Sequence, residues 1–183
     1  MAALTTAQVA SLTTTQVSNL GTTPLNALGT SQFGALNSAQ LAAMTTTQVA
    51  ALETADVLAL GTTGLRAFGS AQIAALGTDQ LVGMSSAQVG SLTSVQVAGL
   101  SSTQVAAIET GDLRALTTSA LRALGTDQIR ALTTDQVAAL TTNQVANLST
   151  TQVGAMTTSG IVALNSADVA ALNTAQLRAM STD

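Results

Sequence analysis

Leucine or a close substitute returns every eight residues along the whole chain, from Leu4, Leu12 and Leu20 to Leu164, Leu172 and Met180, with no insertion or deletion. All 23 of these positions hold Leu, Met, Ile or Phe. If the leucine is place one of an octad, the consensus reads Leu-Thr-Thr-x-Gln-Val-x-Ala, and place three is Ser or Thr in every unit from Thr6 to Thr182. One short repeat makes up the entire 183 residues, so the fold must be one that an eight-residue unit can build by stacking on itself.

A continuous α-helix turns 100° per residue, so a period of eight carries each leucine about 80° past the last and smears the apolar stripe over the whole surface. One long helix is therefore excluded. A flat strand fails as well, because places one and six are five residues apart and point to opposite faces. What fits is a very short helix followed by a corner, repeated as an all-α solenoid with one helix per octad. In Thr6–Leu12 the hydroxyl of Thr6 can cap the helix, Ala7 and Gln8 favour it, and Val9 and Leu12 share one face at i, i+3.

Place two collects Gly and Asn (Gly21, Gly29, Asn37, Gly61, Gly69, Gly77, Gly125, Asn165, Asn173), residues suited to the left-handed conformation that ends a helix. An alternative capping is open: place two as the cap, with Thr5 and Gln8 forming a reciprocal box. Glu53 and Glu109 at place two weigh against it, since Glu is a poor cap. The many Thr and Val leave a β-solenoid as the alternative fold. An isolated helix this short is unstable, so stability must come from stacking and grow with repeat number.

Composition supports folding without a conventional globular core. The only aromatic rings are Phe33 and Phe68, yet 46% of residues are hydrophobic and 8% charged, the reverse of a disordered chain. With no Cys and no His, disulfides, the usual zinc sites and histidine acid–base chemistry are excluded. The net charge of −4 arises from acids and arginines scattered singly, so nucleic acid is not an expected partner. No apolar run comes near the roughly 20 residues that a membrane-spanning helix needs, so membrane insertion is not expected. The first residues lack a signal peptide's basic and apolar regions, so export would need another signal or a further part of the chain.

Place five is Gln in 15 of 22 units; the exceptions are Pro24, Asp56, Gly64, Asp112, Ala120, Gly160 and Asp168. The three aspartates lie seven octads apart, and Arg66, Arg122 and Arg178 follow them at a constant distance, so a longer period overlies the first. Duplication of a seven-octad block accounts for it. The structural reading is that seven octads complete a whole number of coils, as two coils of about three and a half would, with Asp and Arg stacked along one edge and able to pair.

No catalytic, cofactor-binding or metal constellation emerges. Glu53 with Asp56 and Glu109 with Asp112 are the close carboxylate pairs, and both sit where helices begin and acids meet the helix dipole. The hydroxyls have no His or Lys to activate them. Single glycines at corners form no phosphate loop, and the regular Asp and paired Gly of calcium-binding nonapeptides are missing. Met44, Met84, Met156 and Met180 fall in the leucine place and belong to the core. Five arginines occupy place seven, on the variable outward face; Arg114, Arg122 and Arg130, in consecutive units, are the one basic patch to test.

The run Leu132–Leu140 (Leu-Thr-Thr-Asp-Gln-Val-Ala-Ala-Leu) resembles the first helix of a transcription-activator-like effector repeat, but the longer unit, second helix and base-reading loop of that family are missing. DNA reading is therefore rejected. Tandem octads of the form Leu-Thr-Thr-x-Gln-Val-Ala-Ala look like the long repetitive regions of very large bacterial secreted or surface proteins of the adhesin-like kind. That resemblance implies a stalk or spacer at the cell surface and carries no functional residue with it. The chain starts in phase, with Met1 where Val belongs, and stops within a unit at Asp183, with no polar end repeat. Head-to-tail self-association is the expectation. The rival function is a recognition surface such as ice binding by regular Thr rows; against it, place three is expected to be occupied with capping.

Overall fold

The computed structural model describes residues 3–180; Met1, Thr182 and Asp183 lie outside them. Among the described residues there are 22 short helices and no strand, one helix in every octad from Thr6–Ala10 to Thr174–Ala179. The short-helix solenoid is the architecture.

Apart from Gly61–Ala67, each helix is capped at place two, one residue earlier than the Thr6-type capping assigns it. Thr5 has extended backbone (φ −74°, ψ 161°), its hydroxyl accepts from Gln8 N at 3.2 Å, and its own N–H donates to Gln8 Oε1 at 2.8 Å. This is the reciprocal box, repeated at Thr13, Asn37, Thr45, Thr133 and Ser149 among others. At Gly29, Gly69, Gly77 and Gly125 the hydroxyl half is lost and the backbone half persists, as in Gly29 N to Gln32 Oε1 at 2.7 Å. Glu53 and Glu109 occupy the cap position and make no side-chain capping bond, as their poor propensity requires.

The glycines of place two are consequently not left-handed stops. Gly29, Gly69, Gly77 and Gly125 have φ between −71° and −85°. The helix instead ends because place one turns extended, as in Ile108 (φ −62°, ψ 130°) and Leu116 (φ −59°, ψ 137°), and place two continues that extended path into the next cap. Two extended residues make the corner, and neither needs positive φ. Gly61 is the exception at φ 61°: Leu60 before it stays helical, so Thr54–Ala59 runs almost directly into Gly61–Ala67.

Stacking is set by place five. From Gln32 onward, each glutamine among the described residues spends its carbonyl oxygen on its own cap and donates Nε2 to main-chain carbonyls of the coil before. Gln40 donates to Val9 O at 2.9 Å and Leu12 O at 2.7 Å; Gln96 to Leu65 O at 3.0 Å and Phe68 O at 2.7 Å; Gln152 to Leu121 O and Leu124 O, both at 3.0 Å. The recurring separations of 31 and 28 residues place one coil at about three and a half octads. A helix therefore rests over a corner of the coil below while packing against the helix three octads away, Ser86–Gly90 on Thr110–Ala115 for example.

Places one and six fill the interior, with Val9, Val17, Leu25, Phe33, Leu65, Val97 and Val145 wholly buried. The outward places stay small where coils meet. A Cβ on Gly90 would lie 2.8 Å from the Ala115 carbonyl oxygen, and one on Gly154 2.9 Å from that of Ala179.

Candidate functional site

The feature that the sequence singles out for chemistry is the set Asp56, Asp112 and Asp168, which take the glutamine place and are buried, at 4%, 5% and 0% exposure. Glutamine's amide there is donor and acceptor at once; an ionised aspartate can only accept. For Asp112 and Asp168 the structure supplies a donor from place three of the earlier coil. Ser86 Oγ donates to Asp112 Oδ1, and Thr142 Oγ1 donates to Asp168 Oδ1 at 2.8 Å, both across 26 residues. Asp168 Oδ2 also accepts from Asn165 N at 3.3 Å.

Burial holds the Asp56 carboxyl above its ordinary value; the negative charge of Glu53 adds to the rise, and a hydrogen bond from the Glu53 backbone opposes it.

The expected Asp–Arg pairing is not formed. Arg66, Arg122 and Arg178 are exposed on place seven, while the aspartates face the interior from place five. Two residues apart on a helix is about 200°, so the two places look in opposite directions. Among the described residues the ion pair that forms is Arg130 Nη1 to Asp127 Oδ1 at 3.3 Å, with both side chains well exposed, a contact that adds little stability. The seven-octad period does match two coils of three and a half. Arg114, Arg122 and Arg130 come from consecutive octads, each more than a quarter of a turn around the axis from the last, and so face different sides rather than forming one basic patch.

A surface groove of about 500 Å³ is lined by Ala50, Leu52, Glu53, Thr54, Gly77, Thr78, Asp79 and Gln80. Its chemistry is sparse. Gln80 is committed to Val49 O at 3.0 Å and Leu52 O at 2.7 Å, and Glu53 and Asp79 are carboxylates outside the core. Among the described residues no group of three or more Asp and Glu side chains stands close enough to hold a metal ion. No described helix is long and apolar enough to cross a membrane. Met44, Met84 and Met156 are buried with the core, as their register requires.

Because place two does the capping, the hydroxyls of place three are not occupied with it. They stand at the first helical position, exposed or half-buried. Several of them meet the next coil: Ser86 Oγ and Thr142 Oγ1 donate to Asp112 and Asp168 at place five, and a Cβ on Gly83 or Gly99, at place eight, would meet Thr54 or Ser70.

A family description named ALTTAQ repeat matches residues 19–54, 49–85, 105–142, 138–166 and 161–183, most of the chain. The protein belongs to the ALTTAQ repeat family. The six letters themselves occur at residues 3–8, Ala3-Leu4-Thr5-Thr6-Ala7-Gln8. In the interior octads of this member of the ALTTAQ repeat family the corresponding six places span the core leucine, the capping position and the glutamine that joins coil to coil; at residues 3–8 themselves Leu4 is half-buried and exposed Gln8 serves its own cap. A comparison with curated proteins finds no match. The part of the machinery that sequence reasoning misses is the glutamine's second hand. Its signal is present: a cap alone does not demand Gln in 15 units, since Glu completes the box as well, whereas an amide is required to accept at one end and donate at the other.

Proposed function

We propose that this chain is a rigid, non-enzymatic spacer, a stalk or filament-forming segment of a larger bacterial protein carried outside the cell. The observation that supports a spacer is the glutamine ladder: coil is tied to coil by buried amide bonds as well as apolar packing, which stiffens the rod along its axis. The repeat family fits that role, and the likeness of the octads to adhesin-like repetitive regions is what supports a cell-surface setting. Lacking cysteine, the rod owes nothing to an oxidising or reducing surrounding.

The test is small-angle scattering on versions of the chain shortened or extended by seven octads. At the usual helix spacing of about 8–10 Å per coil, seven octads should add about 18 Å of length at constant cross-section. Melting temperature should rise with repeat number. A radius of gyration that follows a compact sphere would overturn the spacer reading.

A further inference from the structure

A coil of three and a half octads is 28 residues, so positions 28 apart return to the same side of the rod one coil higher, and positions half that distance apart lie on opposite sides. Glu53, Arg66 and Asp79 follow one another at intervals of 13 residues, and Glu109, Arg122 and Asp135 repeat the arrangement seven octads later. Glu53 and Asp79 therefore share an edge, as the groove that both of them line requires, and Glu109 and Asp135 continue that edge two coils further on. Arg66 and Arg122 stand on the opposite edge, with Arg178 following them at the same interval. All seven residues are exposed, and none takes part in the ion pair that forms among the described residues, Arg130 with Asp127. One side of the solenoid is thus acidic, and the side facing away from it is basic.

We propose that these rods associate side by side, the basic edge of one copy lying along the acidic edge of a second. This rests on the reading of the chain as a rigid rod. With two copies parallel and level, Arg66 of one comes midway in height between Glu53 and Asp79 of the other, about 4–5 Å from the level of each at ordinary helix spacing. Arg122 comes likewise between Glu109 and Asp135. The contact also survives a slide by whole coils, because the acids recur about once per coil and the arginines every second coil, so it needs no particular start or end of either copy. A second copy is the occupant because one surface supplies both signs of charge at one repeat. Each exposed Arg–carboxylate contact is weak alone, and a rigid rod makes several of them act together. Opposite edges carry opposite charge, so the contact is heterologous and continues into a raft of rods instead of closing on a pair.

The test is sedimentation and electron microscopy of the full chain in sodium chloride. The parent should grow sideways, and its association should weaken tenfold or more between about 0.01 M and 1 M salt, as the screening length falls from about 30 Å to about 3 Å. Arg66→Glu with Arg122→Glu should weaken association tenfold or more at low salt. Arg114→Glu with Arg130→Glu alters the net charge equally but off the basic edge, and should leave association within threefold of the parent. Glu53→Lys, Asp79→Lys, Glu109→Lys and Asp135→Lys combined make a rod that is basic on both edges and stays apart from its own kind. Mixed with the Arg66→Glu, Arg122→Glu rod it should associate again, a rescue that requires folded rods with complementary edges. If the lysine variant does not fold, the two arginine pairs decide alone. A parent that stays a monomeric rod at low salt and high concentration overturns the proposal and leaves the spacer intact. So do equal losses from the two arginine pairs, folded variants that fail to associate on mixing, or growth in length alone. Scattering that shows no rod at all overturns the spacer reading instead, and is seen without any association measurement.

Discussion

Changing Gln96 to Glu separates the two jobs of place five. Gln96 is buried; its Oε1 accepts from Thr93 N at 2.9 Å and its Nε2 donates to the carbonyls of Leu65 and Phe68 at 3.0 and 2.7 Å. Glutamate has the same shape and keeps the capping bond, but it turns an N–H₂ donor into an oxygen facing two carbonyl oxygens. Two hydrogen bonds at about 1 kcal/mol each are lost, and the buried Phe68 carbonyl loses its glutamine donor at a further 1–3 kcal/mol while the Leu65 carbonyl keeps the Phe68 N–H at 3.2 Å, so the variant should lose about 4 kcal/mol at neutral pH. For a chain of this size that lowers the melting point by roughly 10 °C. The buried carboxyl's own protonation then matters. With its folded pKa raised above the unfolded value, the deficit relative to the parent is full above the raised value and shrinks as pH falls through it, where the protonated acid can donate again. Gln16→Glu in dilute solution is the control, because exposed Gln16 only caps, and an acid in a first helical turn is favourable; its change should stay within about 0.5 kcal/mol. Urea titrations followed by circular dichroism at neutral and acid pH read both. Equal losses at Gln96 and Gln16 would refute the inter-coil role and reduce the glutamine to a cap.

Thr117→Ala should cost roughly 0.5–2 kcal/mol by removing the hydroxyl that accepts from Ala120 N at 3.1 Å, while Thr118→Val, at the next place, should change thermal stability little. Gly90→Ala should destabilise by about 1–3 kcal/mol in chemical denaturation, since the added Cβ meets a backbone carbonyl in the neighbouring coil. Gly111→Ala, with open space around its Cβ, should instead stabilise by about 0.5–1 kcal/mol. For Asp56 the raised folded pKa means that the parent gains stability as pH falls through that value toward the ordinary one and loses it as pH rises. Asp56→Asn should therefore melt higher than the parent at neutral pH, the two converging on acidification.

Much of the solenoid is legible because two places, leucine at one and valine at six, admit no long helix and no flat strand. The corner is not, because Gly and Asn at place two fit both a left-handed stop and an extended cap; composition alone does not choose between them. What decides is the extended backbone at place one, as at Ile108 and Leu116, which carries no distinctive residue of its own. The glutamine's bonds reach 28 and 31 residues back, so the octad pattern shows that Gln8 and Gln40 are equivalent without showing which coil Gln40 touches. The seven-octad recurrence of Asp56, Asp112 and Asp168 carries that information, and matches the coil size although not the partners: Ser86 and Thr142 receive the carboxylates at Asp112 and Asp168.

The half-octad offset between coils couples reach to orientation. Each octad added to the rod extends it by about 2.5 Å at ordinary helix spacing and swings its far end by roughly 100° about the axis. Whatever is attached beyond the repeats is thus aimed by the number of octads as well as distanced by it, and a gain or loss of one unit would redirect it sideways. Seven octads bring the far end back to its original bearing after two full revolutions. Lengthening by seven units is the smallest step that changes distance without changing aim, and a chain that expanded in such blocks would hold its cargo in the same direction at every length.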